Sequence, residues 1–427
     1  MLNDISIIVL DDDPTGTQTV HDVPVFTTWS EDVFTSAFQE KTPLFYVLTN
    51  SRSLPEDEAV LLAITIGENI YKASTITDRS FLIISRGDST LRGHFPAEVD
   101  AVATASKLEN PLTVLAPAFI EGKRFTIDNI HYLEINGELV PVAETAFAKD
   151  PSFAYKNSNL VDWIEEKSKG KITKSEVEVL DNQLLKISDS TKVLIVNAQN
   201  YEDLQKASEK IKQLLKNNRS IILRSAASIV KTLGSISDKS ILTKQDLIGN
   251  SISSNGGLVI IGSFVPITTQ QLAYLQANMI LPSIELKIAD LLNPSADYID
   301  NIVIRVESFI REGNTPVVFS ERKLLTGNTN EESLAIGNKI SATLVSIVQK
   351  LKLIPSFIIA KGGITSSDVA TKGMAIEKAT VLGQILPGIP VWNASKNNKY
   401  HGVPYVVFPG NVGSESALFE VVKLLTQ

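Results

Sequence analysis

Three consecutive aspartates, Asp11, Asp12 and Asp13, end the apolar run "ISIIVL" and lead into Pro14, Thr15 and Gly16. Like charges this close repel, so the cluster costs energy unless a cation, a hydroxyl donor or an arginine sits among the carboxylates. An exposed helix cap accounts for Asp13 alone; the cluster as a whole reads as functional. Two nearby segments, "TNSRSL" (49–54) and "SRGDSTLRGHF" (85–95), bring Arg52, Arg86 and Arg92. A guanidinium fork matches a small carboxylate through two parallel hydrogen bonds, although pairing with neighbouring acids is the competing reading for each arginine. The second half of the chain offers different chemistry. "GSFVPITT" (262–269), "KGGITSSDVA" (361–370) and "PGNVGSES" (409–416) are rich in Gly, Ser and Thr and poor in acids, with Lys361 beside the paired glycines. Backbone N–H groups in such turns can face an anion. Neither the P-loop pattern nor GxGxxG occurs, so the expectation is a phosphate-bearing ligand in the second half without a named motif.

The elements that must position these residues are short apolar runs recurring along the chain, among them "PLFYVLTN", "FLIISRGD", "LTVLAPAF", "KVLIVNAQ", "SIILRSA", "GLVIIGSF", "TPVVFSE", "SFIIAKGG" and "YVVFPGN". Several are continuous rather than alternating, as in strands buried on both faces. Between them, "NYEDLQKASEKIKQLLKNN" and "EESLAIGNKISATLVSIVQKL" carry apolar residues at helical spacing. The pattern predicts an α/β protein. In open parallel sheets ligands bind beyond the carboxyl ends of the strands, which is where the reactive segments above fall. A chain of 427 residues predicts two domains. The Ser-, Asn- and Gly-rich stretch "TKQDLIGNSISSNGG" (243–257) places the boundary near residue 255, giving domains 1–250 and 255–427.

Composition excludes several classes. With no Cys there are no disulfides and no thiolate metal sites, which permits a reducing cytoplasm. A net charge of −8 argues against nucleic acid as partner, and no run approaches the roughly 18 apolar residues of a membrane span. Asp4 and the early "DDD" are unlike a signal peptide. His21, His94, His131 and His401 lack helical metal spacing, with His94 the one inside a reactive segment, and Trp29, Trp163 and Trp392 read as packing residues. The stretch "ETAFAKDPSFAY" (144–155) reads as a loop over or near the site. An EF-hand loop at Asp11, Asp13, Thr15, Gly16 and Asp22 is opposed by the strand before it, by Pro14 and by the missing bidentate Glu. A haloacid dehalogenase-like phosphohydrolase, with Asp11 as nucleophile, fits "DDDPT" but leaves the glycine turns of the second half unexplained. A non-catalytic sensor that binds its ligand without turnover is a further class.

Taken in order, "DDDPTGTQTV", "TNSRSL", "SRGDSTLRGHFPAE", "KGGITSSDVA", "LGQILPGIPVW" and "VVFPGNVG" resemble the four-carbon acid sugar kinase family over nearly the full length. The resemblance implies two α/β domains, each with a mainly parallel sheet flanked by helices, and an active site in the cleft between them. It implies ATP-dependent phosphorylation of the terminal hydroxyl of threonate, erythronate or a 3-oxo-tetronate. Carried onto this sequence, Asp12, Arg52, Arg86, Gly87, Asp88 and Ser89 would contact the acid sugar, and Ser263, Gly362, Gly363, Ile364, Thr365 and Gly410 would hold ATP. Ile364 stands where many family kinases have an acidic residue. Phosphoryl transfer needs an aligned hydroxyl and charge compensation, usually with Mg²⁺, and a carboxylate can orient that hydroxyl and take its proton. Asp12 is assigned this role, with Asp11 and Asp13 as alternatives. The expected partners are small molecules; a homo-oligomer is compatible with these features.

Overall fold

The computed structural model describes residues 4–180, 187–249, 254–292, 295, 297–322 and 330–427, the side chains of 291–292, 330–336 and 338 excepted. By its contacts the chain divides into two units, Met1–Asp238 and Lys239–Gln427.

In the first unit the expected apolar runs become β1 (Ile5–Asp11), β2 (Val23–Phe26), β3 (Leu44–Leu48), β4 (Ser80–Arg86) and β5 (Leu112–Ala116). A small antiparallel sheet follows, made of β6 (Arg124–Ile127), β7 (Ile130–Ile135) and β8 (Glu138–Pro141). Then come β9 (Val177–Val179), β10 (Val193–Ile195) and β11 (Ile221–Ser225). Within this unit the main sheet runs β2-β3-β1-β4-β11-β5-β10-β9, every pairing parallel. Ile7 to Leu10 of β1 and Leu82 to Ile84 of β4 are all buried, which is why these runs are continuous rather than alternating. Helices cover the sheet. The helix Glu56–Thr77 opens with three acids where its dipole favours negative charge, and it buries Ala59, Ala63, Ile66, Ile70 and Ala73 along one stripe. The helix Tyr201–Lys216 is capped by Asn200, whose side chain accepts from the Asp203 N–H, and it realises the helical period seen in its sequence.

The second unit contains β12 (Leu258–Ile261), β13 (Ser283–Leu286), β14 (Val317–Ser320), β15 (Ile358–Lys361), β16 (Lys378–Leu386), β17 (Ile389–Ala394) and β18 (Tyr405–Phe408). Their order is β13-β14-β12-β15-β18-β17-β16; the first five are parallel, and β17 is antiparallel to both its neighbours. The expected cut near 255 lies beyond a segment that packs with this unit. The Leu242 N–H donates to the Gln384 carbonyl, and Leu242 and Leu247 enter the second core beside Val259 and Ile385. Ser, Asn and Gly do gather after Leu247, but the chain changes core earlier, at Asp238. Trp163 and Trp392 are buried in the first and second unit, as expected of packing residues. Among the described residues no helix is long and apolar enough to cross a membrane.

Candidate functional site

β1 and β4 lie side by side in register, Asp11 opposite Arg86, so both end at one level. The Arg86 Nη1 donates to Asp11 Oδ1 across 3.0 Å, and the Asp12 N–H donates to the Arg86 carbonyl. β1 stops at Asp11, and Pro14 opens the 3₁₀ turn Pro14–Thr19. Asp13 caps that turn, its Oδ1 accepting from the Thr15 N–H at 2.8 Å and from the Thr15 hydroxyl.

The three aspartates therefore have three fates. Asp11 is buried, bonded to Arg86 and covered by Gly16, where any Cβ would collide with the Asp11 carboxylate. Burial, against the pull of Arg86, pushes its carboxyl up to about 7. Burial opposes ionisation of Asp13 too, but Arg52 and the Thr15 hydrogen bonds hold it below the ordinary value. Asp12 is 3% exposed, and neither of its carboxylate oxygens accepts a hydrogen bond. Arg52 Nη2 and Arg86 Nη1 stand off from it at 3.6 and 3.8 Å. Burial raises its pKa, and Arg52, Arg224 and Arg86 pull it back.

Arg52, on the turn after β3, reaches Asp13 through Nη2 and Asp88 through Nη1 at 3.1 Å, bridging the segments that follow β1 and β4. Asp88 also receives a fork from Arg92, with Nε at 2.8 Å and Nη2 at 3.2 Å. Burial works against the Asp88 carboxylate, but Arg52 and Arg92 hold it well below the usual carboxylate range. Arg92 pairs further with Asp150 and lies over the Phe147 ring, so it follows the competing reading of an arginine held by acids. These contacts bring the segment 144–155 against the site. Tyr155 donates to the Thr90 carbonyl at 2.7 Å, and Phe153 meets the His94 ring edge-on.

Two of the histidines brace this region. Burial pushes His131 down to about 4. Its neutral ring donates from Nε2 to the Ser89 carbonyl at 2.8 Å and pairs through Nδ1 with Thr126. The His94 Nε2 faces the carbonyls of Ser51 and Leu54. Among the described residues no group of three His, Asp or Glu side chains converges as a metal cage.

In the first unit two residues escaped the sequence reading, Arg224 on β11 and Glu98 on the helix Ala97–Ala105. The visible signal for Arg224 is a lone charge inside the apolar run "SIILRSA". Gly87 lies on it so closely that any Cβ there would collide with the guanidinium.

In the second unit Ser263, Gly362 and Gly410 follow the adjacent strands β12, β15 and β18. The Gly362 N–H donates to the Phe408 carbonyl, and Thr268 donates to the Gly410 carbonyl at 2.8 Å. A Cβ on Gly362 would lie 2.9 Å from the Ser263 Cβ and 3.1 Å from the Thr365 Oγ1; one on Gly410 would lie 2.9 Å from the Ser263 Oγ. Gly362 also has φ +124°, a conformation that side chains disfavour. The structure thus brings Ser263, Gly362, Thr365 and Gly410 together, with Gly363 starting the next helical turn and Ile364 projecting 62% exposed. Lys361 does not add its charge to the open face. It is fully buried, donates to the Pro409 and Gly410 carbonyls and lies over Phe408, and burial pushes it down to about 7. Arg322, also missed, donates to the Ser263 carbonyl at 2.6 Å and to Thr269, and it lies over Phe264.

Residues 7–233 match the family model described as a sugar-binding N-terminal domain, and residues 258–418 match that of a nucleotide-binding C-terminal domain. Among solved structures, a Haemophilus influenzae protein of the DUF1537 family is similar at 15% identity and a TM-score of 0.65, over 98% of this chain and 100% of that one. A protein from Salmonella typhimurium LT2 described as a putative tRNA synthase is similar at 17% identity and a TM-score of 0.69, over 97% and 98%. At these identities the likeness is one of fold. No curated protein sequence matches significantly. With a sugar-binding half carrying the aspartates and arginines and a nucleotide-binding half carrying the glycine turns, the chain belongs to the DUF1537, or four-carbon acid sugar kinase, family.

Proposed function

We propose that this protein is a kinase transferring the γ-phosphoryl group of ATP to the terminal hydroxyl of a four-carbon acid of the threonate, erythronate or 3-oxo-tetronate class. The observation that carries the reading is the Asp12 carboxylate, enclosed among arginines at the end of β1 yet accepting no hydrogen bond, while Asp11 and Asp13 are both engaged. A substrate hydroxyl would satisfy it. In the reaction the hydroxyl oxygen bonds to the γ-phosphorus as the bond from that phosphorus to the β–γ bridging oxygen breaks, ADP departs with the electron pair, and the hydroxyl proton passes to Asp12.

Arg52, Arg86, Gly87, Asp88 and Ser89 form the acid-sugar pocket in this reading. Arg52 is the better placed of the first two arginines to meet a ligand, since its side chain is 16% exposed against 5% for Arg86. Ser263, Gly362, Gly363, Ile364, Thr365 and Gly410 hold ATP, their glycines allowing backbone to approach the phosphates. Where ATP brings Mg²⁺ on its phosphates, the ion would supply charge compensation there without an all-protein cage. ATP as donor fits a cytoplasmic setting. The hydrolase reading needs Asp11 open to a phosphate, which the cover of Gly16 and the bond from Arg86 oppose.

The test is ADP release over a panel of four-carbon acids, with and without Mg²⁺. Release that requires both ATP and one acid is the expected result. Phosphate released from sugar phosphates without ATP, or binding without turnover, would overturn the reading.

A further inference from the structure

The buried side chain of Arg224 runs beneath Gly87 and Gly93. Its Nη1 donates to the Ser85 hydroxyl at 3.1 Å, and its Nη2 to the Arg92 carbonyl at 3.2 Å. Gly93, at φ +118°, separates this guanidinium from Asp12: a Cβ there would lie 2.5 Å from Arg224 Nη2 and 3.4 Å from Asp12 Oδ2. Arg224 Nη1 also stands 4.0 Å from Glu98 Oε2, a buried oxygen that accepts no hydrogen bond, while Glu98 Oε1 receives the Ser51 hydroxyl at 2.6 Å.

The charged groups facing Asp12 are Asp11, Asp13, Arg52, Arg86, Arg224 and Glu98. Arg86 is bonded to Asp11, and Arg52 is shared by Asp13 and Asp88. Among the described residues Arg224 forms its ion pair with Glu98, and its charge also acts on Asp12. A buried carboxyl with too little positive charge nearby takes up a proton, and a protonated carboxyl cannot accept one from a substrate. Resting on the kinase reading, we propose that Arg224 is a positioning residue that keeps Asp12 ionised and in place for the acceptor hydroxyl, with Glu98 setting how much of its charge Asp12 receives.

The direct measurement is a carbon NMR titration of the full chain labelled at the aspartate carboxyl carbons, with the Asp12 signal assigned by its loss in Asp12→Asn. Arg224→Gln should move the Asp12 midpoint up by about one pH unit or more, a tenfold change in proton affinity. Arg224→Lys should move it less, and Glu98→Gln should move it down. A folded Arg224→Gln protein with an unmoved Asp12 midpoint overturns the proposal. Should Arg224→Gln fail to fold, the double variant Glu98→Gln/Arg224→Gln replaces it, since it removes both partners of the buried pair: a midpoint above that of Glu98→Gln alone supports the proposal, and an equal one overturns it. Turnover is a separate arm: the acid limb of the kcat–pH profile should follow the titration while KM for the acid sugar holds. A wild-type chain without acid-sugar turnover defeats the kinase reading, and the titration still decides what Arg224 does to Asp12.

Discussion

Arg86 and Asp11 are register partners at the ends of two adjacent parallel strands, and the guanidinium of one donates to the carboxylate of the other across 3.0 Å. Both are buried, so removing the cation leaves an acid in the sheet with no water to serve it. Arg86→Met should destabilise the fold by about 3–5 kcal/mol, as when one partner of a buried pair is deleted. Adding Asp11→Asn should recover much of the loss. Urea unfolding of both variants checks this, and an Arg86→Met midpoint equal to wild type would mean the pair carries no structural load.

In the proposed reaction Asp12 does the chemistry and Asp11 supports it. Asp12→Asn should cut turnover by about 10²–10⁴-fold, the usual worth of a positioned general base, with acid sugar and nucleotide still binding in calorimetry. Asp11→Asn should be the milder of the two in turnover. Intact mass after rapid quench completes the comparison: a phosphorylated Asp11 would point to a covalent hydrolase mechanism instead.

Acid should act on Asp11 in the sense opposite to an ordinary paired carboxylate. Its folded value lies near 7, above the usual carboxylate value, so the folded chain holds a proton that the unfolded chain has already released. That contribution is fully present below the ordinary carboxylate value and is lost as pH rises through about 7, by up to ~1.4 kcal/mol per pH unit across the window. Asp88, held low by Arg52 and Arg92, contributes stability that is present above the ordinary value and is lost in stronger acid. Urea midpoints at pH 5 and pH 8 should therefore diverge less in Asp11→Asn than in wild type; a larger divergence in the variant reverses the assignment.

The two ligand sites should fail separately. Gly362→Ala adds a Cβ 2.9 Å from that of Ser263 at a φ of +124°, a strain of about 1–3 kcal/mol at the meeting point of the glycine turns. Gly363→Val acts on the next residue, where backbone approaches phosphate in the proposed site. Either variant should weaken nucleotide binding while the acid sugar still binds the first domain as in wild type. Equal loss of both affinities in a folded variant would count against separate sites.

Much of this arrangement is legible in the chain because it is local. A continuous apolar run followed by polar, charged or glycine-rich residues marks a buried parallel strand, and β1, β3, β4, β12, β15 and β18 all follow that pattern, with the proposed ligand contacts at their carboxyl ends. What escapes is what depends on distant neighbours. Arg224 becomes part of the first site only because β11 pairs with β4, and nothing near residue 224 announces that pairing. Arg92 looks like a ligand clamp until Asp150, from a separate segment, arrives beside it. Lys361 looks like a phosphate partner until the Pro409–Gly410 turn takes its ammonium. The hairpin of β16 and β17 was readable in principle, since β16 alternates buried and more exposed residues over its whole length up to the Pro387-Gly388 turn, a longer period-two run than those of β7 and β13.

The bare backbone at Gly87 and Gly93 makes room for one guanidinium, and this ties three distant positions into a single heritable unit. A side chain gained at 87 is intolerable while arginine occupies 224, and a shorter residue at 224 opens the space that would admit it. Drift at any one of the three is thus conditional on the others. A library randomised at 87, 93 and 224 together should return either the glycine–glycine–arginine combination or coordinated replacements, and variants changed only at 87 should be depleted.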